Sequence, residues 1–254
     1  MKNNLNARQR VGVIVGSAML LLVPVAEAKI LLDFGNNASY RGHSTANPDV
    51  NGNYWNSVDS TVYWPNLLNA DGTTSTIGFG FGSASGTDSY NGPAGDTSGQ
   101  GTPNGLYTNA YVNTVALGDL GIQAAVFDFY VSSTFTIQGL DPGSLYHLTF
   151  YGSHMYNTDN TTVYTVYTSN DYATAVASNS LLVGVANIFN ADKVVTISNV
   201  APQWANSIWI GFKGSAGGSG YLNAMRIEVV PEPAALALVL GGIAGVRLAR
   251  RGRA

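Results

Sequence analysis

The sequence predicts an all-β protein: a single β-sandwich, jelly-roll-like, framed by two short terminal segments of different character. Three observations point there. Apolar and polar residues alternate at period two through the second half of the chain, and turn-forming residues punctuate that alternation at short intervals. The third is composition: of the 13 acidic residues between positions 29 and 230, 12 are Asp and only Glu228 is Glu, in a chain with 30 Gly and 14 Tyr. Asp, Asn, Gly, Ser and Thr form turns, whereas Glu and Lys favour helix.

Taken in order, strands are expected at 29–34, 76–82 and 108–116. In 127–131, Phe127, Phe129 and Val131 alternate with Asp128 and Tyr130, and a short strand follows at 134–138. In 145–151, Tyr146, Leu148 and Phe150 alternate with His147, Thr149 and Tyr151. Strands at 162–168, 180–188 and 194–200 come next. Ile208, Ile210 and Phe212 then alternate with Trp209 and Gly211, and Met225, Ile227 and Val229 with Ala224, Arg226 and Glu228. Such alternation gives each strand one buried and one wet face. The separators are Asp71-Gly72, Asp141-Pro142-Gly143, Ser169-Asn170-Asp171 and the run Gly214 to Gly220. Ten or eleven short strands without a convincing amphipathic helix describe a sandwich. The stretch from about 36 to 105 differs: it is rich in Asn, Gly, Ser, Thr and Asp, and 82–105 reads as a long loop. Long loops on a rigid sandwich are where binding residues concentrate.

The corner Gly139-Leu140-Asp141-Pro142-Gly143 followed by Tyr146 resembles one used by fibronectin type III domains, in which a tyrosine anchors the next strand. The strands continue on both sides of it over about 200 residues, which favours one larger sandwich. By pattern rather than by motif, the domain also resembles the galactose-binding-like jelly rolls of bacterial surface proteins.

The two ends carry targeting signals. Lys2, Arg8 and Arg10 precede the apolar run Val11 to Val23, and Ala26-Glu27-Ala28 supplies a small-x-small cleavage site. This is the order of a secretory signal peptide, so residues 1–28 are expected to be removed by signal peptidase. At the other end, Pro231-Glu232-Pro233 leads into an apolar run from Ala234 to Val246, then Arg247, Arg250, Arg251 and Arg253. Thirteen apolar residues fall short of a comfortable span, and extension to 234–249 with snorkelling arginines brings a short transmembrane helix within reach. Residues 231–254 resemble the PEP-CTERM sorting signal of Gram-negative bacteria that make extracellular polysaccharide. The resemblance implies recognition by an exosortase-type transpeptidase, cleavage near Pro231-Glu232-Pro233, and a place at the cell envelope or in the polysaccharide matrix. It covers a tenth of the chain and leaves the central domain, 29–230, unassigned.

Composition narrows what that domain does. It holds five basic residues against 13 acidic ones, a formal charge of −8, which disfavours nucleic acid as a partner. With no cysteine in the chain, thiol catalysis and cysteine-based metal sites are excluded. Carbohydrate recognition uses aromatic faces to stack on sugar rings and planar polar groups to bond hydroxyls. Tyr54, Trp55 and Asn56, then Tyr63 and Trp64, with Arg41 and His43 nearby, combine those types, and Trp204 and Trp209 add to them. The opposing reading is that these aromatics pack the core.

Asp49-x-Asn51-x-Asn53 has the spacing that opens an EF-hand, but Tyr54 and Ser60 stand where Gly and Glu belong. No cofactor is expected, and a structural calcium held by loop oxygens is left open, with Asn157 to Asn160 as one such loop. Catalytic signatures are weak. Gly95-Asp96-Thr97-Ser98 lacks the serine of the Gly-Asp-Ser block in SGNH-type esterases, and no Gly-x-Ser-x-Gly or His-Glu-x-x-His occurs. A glycosidase would need two carboxylates across a cleft, and spacing does not pair Asp33, Asp128 and Asp159. The first expectation is therefore a non-enzymatic surface or matrix protein that contacts extracellular polysaccharide. The second is a structural or adhesive protein that binds itself or another protein, and the third is a secreted hydrolase using those carboxylates with His147 or His154.

Overall fold

A computed structural model describes residues 28–34, 44–58, 63–83, 89–90, 112–154, 160–185 and 188–230. The expected signal peptide up to residue 27, the tail 231–254, Arg41, His43, Asp159 and most of the 82–105 loop lie outside the described residues.

The chain folds as a β-sandwich. One sheet is built from β1 (Lys29–Asp33), β2 (Asn56–Ser57), β7 (Leu145–Tyr151), β11 (Val195–Val200) and β14 (Ala224–Val230), in the order β11-β7-β14-β1-β2. The other uses β3 (Gly78–Ser83), β6 (Ser133–Gln138), β8 (Asn160–Tyr167), β9 (Ala175–Val185), β10 (Ile188–Phe189) and β12 (Ile208–Gly214), in the order β10-β9-β8-β12-β6-β3. Within both sheets only the β1–β2 pair is parallel. A third, small sheet joins β4 (Ser89–Tyr90), β5 (Asp128–Val131) and β13 (Tyr221–Leu222).

The expected inward positions meet between the two large sheets. Tyr146, Leu148, Phe150, Met225 and Ile227 from one pack against Phe135, Ile137, Tyr164, Ile208, Ile210 and Phe212 from the other. Phe150 and Tyr164 stack across the interface with centroids 4.5 Å apart. The corner behaves as read: the backbone N–H of Asp141 donates to the Tyr146 hydroxyl at 2.9 Å. Gly139 makes the preceding bend at φ +71°, where a Cβ would strike the Thr76 carbonyl.

Three expectations are corrected. Residues 114–117, assigned to a strand, form a short helix α1 (Thr114–Leu117), because the Asn113 side chain caps the Ala116 N–H and Gly118 at φ +57° ends the turn. A 3-10 turn (Gly118–Leu120) and a second short helix, α2 (Gln123–Phe127), follow. The alternation of 127–131 does not separate a wet face, since Phe129 and Tyr130 are both buried where the small sheet meets the core. The strand placed at 180–188 begins earlier and runs 11 residues to Val185, and Ile188–Phe189 form the separate strand β10, paired antiparallel to it.

The helical segment accounts for an asymmetry. Leu117, Leu120, Ile122, Ala125 and Val126 cover the outer face of the five-stranded sheet, over Leu31, Tyr151 and Ala224. This is why β1 reads Ile-Leu-Leu without alternation: Ile30 and Leu32 face the sandwich core and Leu31 faces the cover. Asp119 ties the cover down through Lys29 at 2.9 Å and Arg226 at 3.4 Å. The outer face of the six-stranded sheet carries no such cover among the described residues.

Candidate binding face

The outer face of the six-stranded sheet is built on glycine. In β3, Phe79 points into the core and Phe81 packs beside it, so Gly78, Gly80 and Gly82 point outward. The free edge of β3 is paired by the segment around Trp64, whose backbone exchanges hydrogen bonds with Phe79 at 2.8 and 2.9 Å. That pairing lays Tyr63 over the glycines: a Cβ would come within 2.9 Å of its hydroxyl at Gly78 and 3.0 Å of its ring at Gly80. Tyr63 is 52% exposed, and its hydroxyl donates to Gln138 Oε1 at 3.4 Å.

The same arrangement repeats across the sheet. Tyr172 comes from the turn between β8 and β9 and covers Gly82, with its hydroxyl 3.5 Å from Thr136 Oγ1. Its ring stands perpendicular to Trp209 (6.4 Å, 88°) and near-perpendicular to Tyr167 (5.5 Å, 76°). Tyr167 lies over Gly211. The turn that carries Tyr172 is held by Asp171, which accepts from the Ser169 hydroxyl and the Ala173 N–H. Those two bonds, the serine's first, hold its carboxyl below the usual range. The result is a strip of tyrosine rings across β3, β6, β12 and β8, with Gln138 beside Tyr63 and with Trp209 and Thr136 buried against Tyr172. At the usual strand spacing it is about 15 Å wide.

The residues expected to bind divide. Tyr63 lies on this outer face, and Trp64 is half-buried with its ring on Phe79 at 6.1 Å. Trp55 and Asn56 are corrected to structural roles. Trp55 is 1% exposed beneath the helical cover, and its indole N–H donates to Asp49 Oδ2 at 2.8 Å. Asn56 is buried, donating to the Leu31 and Leu68 carbonyls and accepting from the Leu68 N–H. Tyr54 is half-buried against Gly72. Trp204 is 68% exposed at another edge of the domain. Tyr167, Tyr172, Thr136 and Gln138 were not among the residues expected to bind. The signal for them was the run Gly-Phe-Gly-Phe-Gly, whose outward glycines leave room for rings.

The Asp49 motif is a loop anchor: Asp49 Oδ1 accepts from the N–H groups of Asn51 and Asn53, and Oδ2 serves Trp55. Asp33 is fully buried and accepts from Thr45 and Ser57. His154 stacks on Tyr221 at 4.1 Å, and burial lowers its pKa to about 4. His147 Nδ1 accepts from the Asn199 N–H. Among the described residues, no group of three His, Asp or Glu is placed to hold a metal ion. A groove of about 580 Å³ runs between Asn113, Leu182, Ile188 and Asp192. Its main polar side chains serve the fold, with Asn113 capping α1 and Asn190 bonding the Gly152 and Lys193 carbonyls.

No family model matches the chain, and no curated protein does. Among solved structures it is similar to the native structure of a family 35 carbohydrate-binding module from Clostridium thermocellum. The two are 17% identical over 38% of this chain and 70% of that one, with a TM-score of 0.24. At that score the likeness carries no argument, and the face described above stands on its own geometry.

Proposed function

We propose that this chain is an exported, non-enzymatic surface or matrix protein whose jelly-roll-like sandwich contacts extracellular polysaccharide through the strip around Tyr63. The observation that carries the reading is the exposed Tyr63 ring on its glycine floor, beside the Gln138 side chain. Aromatic faces take the C–H faces of sugar rings, and the hydroxyl and amide groups beside them bond sugar hydroxyls. The domain's charge of −8 suits a neutral or cation-bridged glycan better than a strongly anionic one. The route outward is proposed from the sequence of the two ends. Signal peptidase removes 1–28, the 234–249 helix holds the chain transiently in the inner membrane with its arginines inside, and an exosortase-type enzyme processes it at Pro231-Glu232-Pro233.

Binding to the host's own polysaccharide, measured by calorimetry with and without calcium, tests the contact. Saturable binding weakened at least tenfold by Tyr63→Ala supports it, and binding that ignores Tyr63→Ala and Tyr172→Ala removes it. Processing is tested separately: Glu232→Ala is expected to leave a membrane-bound precursor, and normal maturation of that variant ends the transpeptidase reading. A second reading, self-association or adhesion to protein, is favoured by exposed apolar residues near one sheet edge. Val176, Leu182 and Ile188 are 48, 41 and 66% exposed on β9 and β10. An open edge of that kind is a template for strand pairing.

A further inference from the structure

We infer that the end of the sandwich where β14 finishes rests against the lipid surface while the tail is in the membrane, with Trp204 and Leu145 entering the interface. The inference depends on the proposed membrane role of residues 234–249 and goes beyond it by assigning an orientation and a contact surface.

Both ends of the folded domain emerge together, because the Val229 N–H donates to the Ala28 carbonyl at 3.3 Å. Val230, the last residue of β14, pairs with Leu145, the first of β7, and Leu145 is 39% exposed. Across the same end runs the connection from β11 to β12. It is pinned at its base by Gln203 N–H to the Ser207 carbonyl (2.7 Å) and by Leu140 N–H to the Asn206 carbonyl (3.1 Å). Ala205 and Asn206 both adopt left-handed backbone, with φ of +56° and +54°. The turn so formed holds Trp204 outward, 68% exposed, the most exposed large aromatic among the described residues.

An indole exposed to this degree is unusual on a protein that contacts only water, and tryptophan is enriched at the membrane–water boundary. The reach of the chain selects the occupant. Three residues separate Val230 from the apolar run at Ala234, and even fully extended they span at most about 14 Å. A membrane-inserted run therefore keeps this end of the domain within side-chain distance of the headgroups. Asp141, on the neighbouring turn, is exposed but has its carboxylate engaged by the Gly143 N–H and the Ser144 hydroxyl. The contact is apolar and interfacial, so it needs no anionic lipid.

The test uses the full chain reconstituted into phosphatidylcholine vesicles, with and without bromine on the lipid tails near the headgroup. Flotation comes first, then quenching of tryptophan fluorescence. Trp55 and Trp209 are buried and Trp64 half-buried, so the quenchable emission is expected to come from Trp204. Trp204→Phe should float like the parent while its quenching by brominated lipid falls to background. A variant that floats and is quenched as much as the parent overturns the inference and leaves the tail reading intact. A chain that does not float overturns the tail reading and this one with it. A shift of Trp204 emission on adding host polysaccharide without vesicles, absent in Trp204→Phe, would assign this end to glycan and also overturn it.

Discussion

Replacing Trp55 by Ala should unfold the protein more readily without touching the binding face. The ring is 1% exposed, packed with Leu31 and Ala70 beneath the helical cover, and its N–H is bonded to an Asp49 carboxylate that is itself 8% exposed. Removing a buried aromatic of this size costs about 3–5 kcal/mol. Leaving the carboxylate oxygen without its donor adds about 1–3 kcal/mol, less whatever the loop recovers by letting water in. A net loss of about 4 kcal/mol in a domain of this length lowers Tm by about 8–16 °C. Trp55→Phe keeps most of the packing and removes the donor together with its five-membered ring, so its loss is expected at about 1–3 kcal/mol. Tyr63→Ala, at an exposed ring, should stay within about 1 kcal/mol of the parent. Thermal unfolding followed by circular dichroism measures all three, with polysaccharide binding measured below the transition. If Trp55→Ala melts within 2 °C of the parent, or abolishes binding while its fold and Tm are intact, the assignment of Trp55 to the core is wrong.

The glycine floor gives the opposite pattern. Gly80→Val puts branched carbon where a Cβ alone would come within 3.0 Å of the Tyr63 ring, so binding should weaken severalfold with a Tm change of a few degrees. Unchanged binding would show that the ring's position is irrelevant. His154 gives a pH dependence. Its folded pKa of about 4 lies below the unfolded value of about 6.5, so the unfolded chain takes up the extra proton. Its contribution is intact above about pH 6.5 and lost as pH falls toward 4, about 1–2 kcal/mol once water screening of the partly exposed ring is allowed for. His154→Gln should flatten the Tm profile in that window, and an unaltered profile would place the titration elsewhere. Tyr146→Phe leaves the Asp141 N–H without its acceptor and should cost about 1 kcal/mol in urea unfolding, whereas a neutral result would mean water replaces the phenol.

Strand placement was legible where large apolar residues recur at every second position. β7, β12 and β14 follow the alternation because a period-two pattern cannot be satisfied by any other backbone. The tyrosine corner was legible because it is local: donor and acceptor lie five residues apart. The 114–117 helix was missed because four residues carry no periodicity and its determinants are a cap and a glycine. The Phe129–Tyr130 pair was misread because both sides of β5 meet other layers, which abolishes the alternation.

The binding candidates show the same divide. Tyr54, Trp55 and Asn56 are adjacent in sequence, and adjacency reads as a cluster. In the fold, Asp49 draws the Trp55 indole inward and Asn56 is spent on two backbone segments, so the cluster dissolves. Tyr63, the Tyr167–Tyr172 pair and Trp209 come from three separate stretches and share one face because β3, β6, β12 and β8 are neighbours.

By itself the sequence determined the all-β class, most strand positions, the acidic cysteine-free domain and the turn chemistry, since each follows from residue type and short-range spacing. Which rings reach solvent was decided only by the tertiary structure. One outer sheet face is closed by a helical cover and the other carries none among the described residues, and an aromatic side chain has the same sequence signature on either.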